Sequence, residues 1–85
     1  MKIDLVSVAT RLEQLRVALD LDKGKFAQSF GLDASSYSKV IQAKKPLKAD
    51  QAFEISERWG VSMDYLYRGR LTDLPASLAT KLRKS

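Results

Sequence analysis

Gly31, at the middle of the segment DKGKFAQSFGLDASSYSKVIQAKK (residues 22 to 45), limits the fold more than any other residue. Phe26, Ala27 and Phe30 recur at helical spacing before it, and Ala34, Tyr37, Val40 and Ile41 recur after it. Two short amphipathic helices are therefore predicted, with the chain reversing at Gly31, where a left-handed conformation costs least. Ala27 falls where two helices crossing steeply leave no room for a larger side chain. Asp22 and Asp33 stand one residue ahead of the two helices and can accept hydrogen bonds from their free N–H groups.

The rest of the chain reads as helix in the same way. Leu5, Val8, Leu12, Leu15 and Leu19 form an apolar stripe over a first helix, residues 5–19. The pair around Gly31 spans 23–30 and 34–42. The second of these carries three serines in four positions, which weakens its own helix preference, so Tyr37, Val40 and Ile41 must hold it by packing. Pro46 closes that helix. A fourth follows over 49–59, with Ala52, Ile55, Ser56 and Trp59 inward and Gly60 as its stop; Lys48 is a poor cap for it. Ser62 caps a fifth, residues 63–67, closed by Gly69. Leu71, Leu74, Leu78 and Leu82 recur at steps of three and four in the last segment, where Pro75 suits a first helical turn. This stripe fits a helix folded back on its own domain and a dimer contact equally. No strand pattern and no repeat appears. The expected fold is all-α, with a five-helix domain over residues 1–70 and a helical tail over 71–85.

Length and composition narrow the functional classes. At 85 residues the chain has room for one core. It has no cysteine, which fits a reducing cytoplasmic setting and leaves no disulfide or thiolate metal site. No apolar run approaches the roughly 20 residues of a membrane span, and MKIDLVSVAT is interrupted by Asp4 and too short to read as a signal peptide. Without His or Cys, the commonest acid–base and nucleophilic groups are missing, and no carboxylate cluster or glycine-rich loop replaces them. An enzyme is not expected, nor a metal, cofactor or small-molecule ligand.

Net charge is +5, which places nucleic acid high among partners. Its placement is more informative than its size. Between Ala34 and Ala49 the chain carries Lys39, Lys44, Lys45 and Lys48 and no acid, whereas Arg11, Glu13, Arg16, Asp20 and Asp22 mix the signs around the first helix. One face is selectively positive. A Gly-centred helix pair with a basic second helix is the pattern of a helix-turn-helix, whose second helix enters the DNA major groove.

With five short helices in this order, the chain resembles the lambda-repressor-like (XRE, Cro and CI type) family of phage repressors and bacterial regulators. RLEQLR, KFAQSFGLDASSYSKV and GVSMDYLYRG carry the resemblance, which covers roughly residues 6–69; LPASLATKL is similar to the tail of a phage-derived subgroup. The resemblance implies a phosphate contact at Lys23 and base-reading positions at Ala34, Ser35, Ser36, Ser38, Lys39 and Gln42. It also implies backbone contacts from Lys44 and Lys45. Lys39 can donate to guanine O6/N7, Gln42 can pair with adenine, and the Ala34 methyl can meet a thymine methyl.

Three departures from the family pattern stand out. Ile41 occupies the place of a Glu that commonly pairs with a first-helix Arg, here Arg16, so an apolar contact is expected instead of a buried ion pair. Ala43 replaces a Gly, so the recognition helix is expected to end differently or to run a turn longer. The reading face is not Gln/Arg-rich, which shifts weight to DNA shape.

The function expected on these grounds is transcriptional regulation by sequence-specific binding to double-stranded DNA, as a phage or prophage repressor. One such helix reads few base pairs, so a homodimer is expected, with its contact after the fourth helix. The alternative is a protein-interaction module of the same fold, an antitoxin or anti-repressor, for which the terminal leucine stripe speaks. Tyr37, Trp59, Tyr65 and Tyr67 are expected to pack rather than bind, and Arg68 and Arg70 fit solvated ends better than phosphate contacts.

Overall fold

The computed structural model describes residues 4–70 and 76–83. All regular structure among them is helical: α1 (Leu5–Ala18), α2 (Lys23–Ser29), α3 (Ala34–Ile41), α4 (Ala49–Trp59), α5 (Met63–Arg68) and α6 (Ala76–Arg83). No helix among the described residues is long and apolar enough to cross a membrane.

The starts of α1, α2, α3 and α5 are set by a short polar side chain. Asp4 accepts from the Val6 amide at 3.1 Å and the Ser7 hydroxyl at 2.8 Å. The Lys25 and Ser36 amides donate to Asp22 and Asp33, both at 2.7 Å, and the Tyr65 amide donates to Ser62 Oγ at 3.0 Å. Such a cap contributes about 1 kcal/mol. At α4 the cap works in reverse: the Lys48 side chain supplies nothing, and the Lys48 amide donates instead to Gln51 Oε1 at 3.0 Å.

The ends of the first three helices share one construction. After α1, α2 and α3 a residue with positive φ follows the capping residue: Asp20 (58°), Gly31 (86°) and Ala43 (61°). In all three cases the amide one step further reaches back five residues: Leu21 to Arg16 O, Leu32 to Ala27 O, and Lys44 to Lys39 O, at 2.9 to 3.2 Å. These are Schellman closures, which satisfy carbonyls that a helix end leaves free. The expectation drawn from Ala43 is corrected here. Alanine adopts the left-handed turn that glycine would, and α3 stops at Ile41 rather than running on. Helices α1, α2 and α3 each end one residue before the expected boundary because the expected last residue is the cap, and α5 extends one residue further, to Arg68.

The core forms where these helices converge. Leu12, Leu15, Phe26, Ala27, Tyr37, Ile55 and Leu66 expose nothing. Along α1 the stripe is buried at Val8, Leu12 and Leu15, while Leu5 and Leu19 at its ends are half-buried. Ala27 is fully buried where α2 packs on α3. The rings of Phe26, Phe30 and Tyr37 meet edge to face, with centroids 5.1 to 6.2 Å apart. Trp59, expected in the core, is only half-buried against its margin. Helix α5 is tied to its surroundings by polar bonds. Tyr65 Oη donates to Arg11 O at 3.3 Å, Arg11 Nη1 donates to Leu66 O at 3.3 Å, and Tyr67 Oη donates to Leu47 O at 2.8 Å.

Leu78 and Leu82 of α6 belong to the same buried cluster, and α6 packs on α1. Lys81 Nζ donates to Ala18 O at 3.5 Å, at the end of α1. These two leucines are buried in the core of their own chain. Leu71, Leu74 and Pro75 lie outside the described residues.

Candidate nucleic-acid interface

Helix α3 turns one side to the core and the other to solvent. Tyr37 and Val40 are buried, Ile41 is half-buried, and Ala34, Ser35, Lys39 and Gln42 are exposed. Lys44 and Lys45 continue the exposed surface beyond the helix, where the left-handed turn at Ala43 redirects the chain. Among the described residues, none of Lys39, Lys44, Lys45 and Lys48 has a carboxylate within ion-pair distance. Asp33, the acid just ahead of α3, has its carboxyl held below the usual range by the Ser36 amide and hydroxyl, with Lys45 and Lys39 adding to the effect. It is occupied as a cap.

Two expected reading positions are less open than the rest. Ser36 and Ser38 are half-buried, because a stripe on so short a helix leaves its flanks against neighbouring loops. Ser36 lines a crevice of about 170 Å³ with Leu32, Val40, Lys45, Lys48 and Gln51, where α3 and the start of α4 approach. The crevice gathers a hydroxyl, a carboxamide and two ammonium groups, a donor set suited to a phosphate oxygen. Lys48 joins the lysine-bearing face here. It was visible in the acid-free lysine run, but its nearness to Ser36 depends on how the loop after Pro46 folds.

Lys23 is exposed at the first position of α2. Its Nζ lies 4.0 Å from Glu13 Oε1 on α1. Glu13 is also the partner of Arg16, whose Nε donates at 2.8 Å, and of the buried Tyr37 hydroxyl, which donates at 2.6 Å. Burial pushes the Glu13 carboxyl up, but the bonds from Arg16 and Tyr37 and the charges of Arg16 and Lys23 outweigh it, and the net shift is downward. Burial, then the bond to Glu13, pushes the Tyr37 phenol far up. Arg16 also donates from Nη1 to Leu21 O at 2.8 Å. The role left open for Arg16 by Ile41 is thus taken within α1: its carboxylate partner lies three residues earlier in sequence. Arg68 and Arg70 lie 3.6 and 3.7 Å from Asp64, away from the lysine face in sequence and paired with an acid.

A second surface feature adjoins the end of α3. Val6, Thr10, Gln14 and Val17 of α1, with Ile41 and Ala43, line an open groove of about 620 Å³. Val6 and Val17 are among the few large apolar side chains left exposed. Comparison with protein-family models, with curated proteins and with solved structures finds no match to the chain.

Proposed function

We propose that the chain is a helix-turn-helix regulator of the lambda-repressor-like type, of phage or prophage kind, that binds double-stranded DNA. Helix α3 lies in the major groove, α2 spans the backbone above it, and lysines neutralise phosphates. The observation that carries this reading is the exposed, lysine-bearing face of α3 and its following loop, where no carboxylate among the described residues lies within ion-pair distance of Lys39, Lys44 or Lys45. A solvated face on a chain of this composition would ordinarily mix its signs, as α1 does with Arg11, Glu13 and Arg16.

Phosphate contacts position such a protein, and base contacts specify the site. Lys39 and Gln42 are the long exposed donors on α3, and Ala34 offers a methyl group. With so few reading groups, DNA shape carries part of the discrimination, and a two-fold dimer reading half-sites about 34 Å apart supplies the remainder. Since Leu78 and Leu82 are buried within the subunit, that dimer must use another surface. Selection from random duplexes followed by footprinting tests the reading. A palindromic protected site supports it, and no enriched sequence refutes it.

The second reading, a protein-interaction module such as an antitoxin or anti-repressor, is favoured by the apolar groove between α1 and the end of α3. Tight, salt-sensitive binding of the chain alone to a selected duplex would argue against it as the main role.

A further inference from the structure

Helix α3 is poorly equipped to fix its own orientation. It is eight residues long, rich in serine, and held to the core by Tyr37, Val40 and Ile41. Apolar contacts of this kind are non-directional, so they resist separation more than a small rotation about the helix axis. Among the described residues, one directional side-chain bond reaches the helix from outside the turn. The Tyr37 hydroxyl, on a residue with no exposed surface, donates to Glu13 Oε2 across 24 positions of sequence at 2.6 Å. The same carboxylate accepts from Arg16 Nε at 2.8 Å and from Arg16 Nη2 at 3.3 Å, and it faces Lys23 Nζ at 4.0 Å. Arg16 is fastened in turn to Leu21 O, in the connection between α1 and α2. One carboxylate therefore joins α1, the first residue of α2 and the middle of α3.

We infer that Glu13 is a positioning residue for the DNA-reading face: through the Tyr37 hydroxyl it fixes the rotation of α3, so that Lys39 and Gln42 address one base pair rather than its neighbours. The inference rests on the proposed DNA-binding function. A hydrogen bond to a charged acceptor is shorter and about twice as strong as a neutral one, and its angle is constrained. The charge state agrees with this arrangement, since the carboxyl is lowered and the phenol raised. A bond that served stability alone would change the folded fraction when removed, and would leave the choice between DNA sequences untouched.

The test compares the full chain with Tyr37→Phe, Glu13→Ala and Glu13→Gln on the selected duplex and on a scrambled duplex of equal length. It is run at a temperature where circular dichroism shows every variant folded. Tyr37→Phe keeps the ring packing and removes only the donor; Glu13→Gln keeps an acceptor for the phenol. Tyr37→Phe and Glu13→Ala are expected to lower the specific-to-scrambled affinity ratio about tenfold, which is ~1.4 kcal/mol. Glu13→Gln should lose no more than about twofold of the ratio, since the phenol keeps its acceptor. The double variant Tyr37→Phe/Glu13→Ala should lose no more than Glu13→Ala alone, because the two groups act through one bond. The salt dependence of Tyr37→Phe should match the wild type, since no phosphate contact is removed. A Tyr37→Phe ratio equal to the wild-type ratio overturns the positioning role and leaves the DNA-binding reading intact. A wild-type chain that discriminates between no duplexes overturns that reading, and the positioning role with it.

Discussion

Ala43→Gly should stabilise the protein, and Gly31→Ala should destabilise it, for the same reason. Both residues close a helix with positive φ, 61° at Ala43 and 86° at Gly31, in equivalent Schellman turns. Placing alanine in the left-handed region costs about 1–2 kcal/mol. Glycine removes that cost but gives the unfolded chain more freedom, which offsets about 0.4–1 kcal/mol. The net gain expected for Ala43→Gly is therefore ~0.5–1 kcal/mol, or a rise of about 3–6 °C in midpoint for a domain of this size. At Gly31 an added Cβ would meet no atom within 4 Å, so the loss there is purely conformational, with the opposite sign and about the same size. Urea unfolding followed by circular dichroism measures both. The midpoint should move in opposite directions with an unchanged slope, since the surface exposed on unfolding does not change. If both variants fall together, or if Ala43→Gly leaves the midpoint where it was, the strain assigned to this turn is wrong.

Other consequences are open to similar tests. Leu82→Ala should cost about 2–4 kcal/mol, and a chain truncated after Gly69 should melt lower still, because Leu78 and Leu82 complete the core over α1; thermal melts check both. The Tyr37 and Tyr65 phenols are raised by burial, Tyr65 to about 12, so the folded state keeps protons that the unfolded state releases. The stability they contribute is complete below an unfolded phenol's pKa of about 10 and is lost as pH rises through the folded values. Urea midpoints at rising alkaline pH should fall, and fall less in Tyr37→Phe. Lys44→Ala and Lys45→Ala should each weaken binding to all duplexes alike and reduce the salt slope by about one, as measured by fluorescence anisotropy at several salt concentrations.

Local chemistry made most of the helical frame legible. Asp22, Asp33 and Ser62 announced helix starts because a cap acts on amides two or three residues away, and Gly31, Gly60 and Gly69 announced ends because positive φ favours glycine. The same reasoning failed at Ala43, where two backbone bonds close the turn on a residue that disfavours it. It also missed Gln51, because a reversed cap is carried by the third residue of the helix rather than by its first flank. The outward lysines followed from the inward spacing of Tyr37 and Val40. The carboxylate bridge did not: Glu13 and Tyr37 are far apart in sequence, and spacing along one helix says nothing of a bond between two. The terminal leucines left two answers open because an apolar stripe does not state what covers it. Burial of Leu78 and Leu82 among α1 neighbours answers for those two residues.

Amide shifts of the ¹⁵N-labelled chain, followed during titration with a selected duplex, test the central claim most directly. The largest changes should fall on Lys23, on residues 34 to 42 and on Lys44, Lys45 and Lys48, and they should weaken together as salt is raised. Changes confined to Val6, Thr10 and Val17 on the outer side of α1, or no change at any salt, would contradict the assignment of the lysine face to DNA.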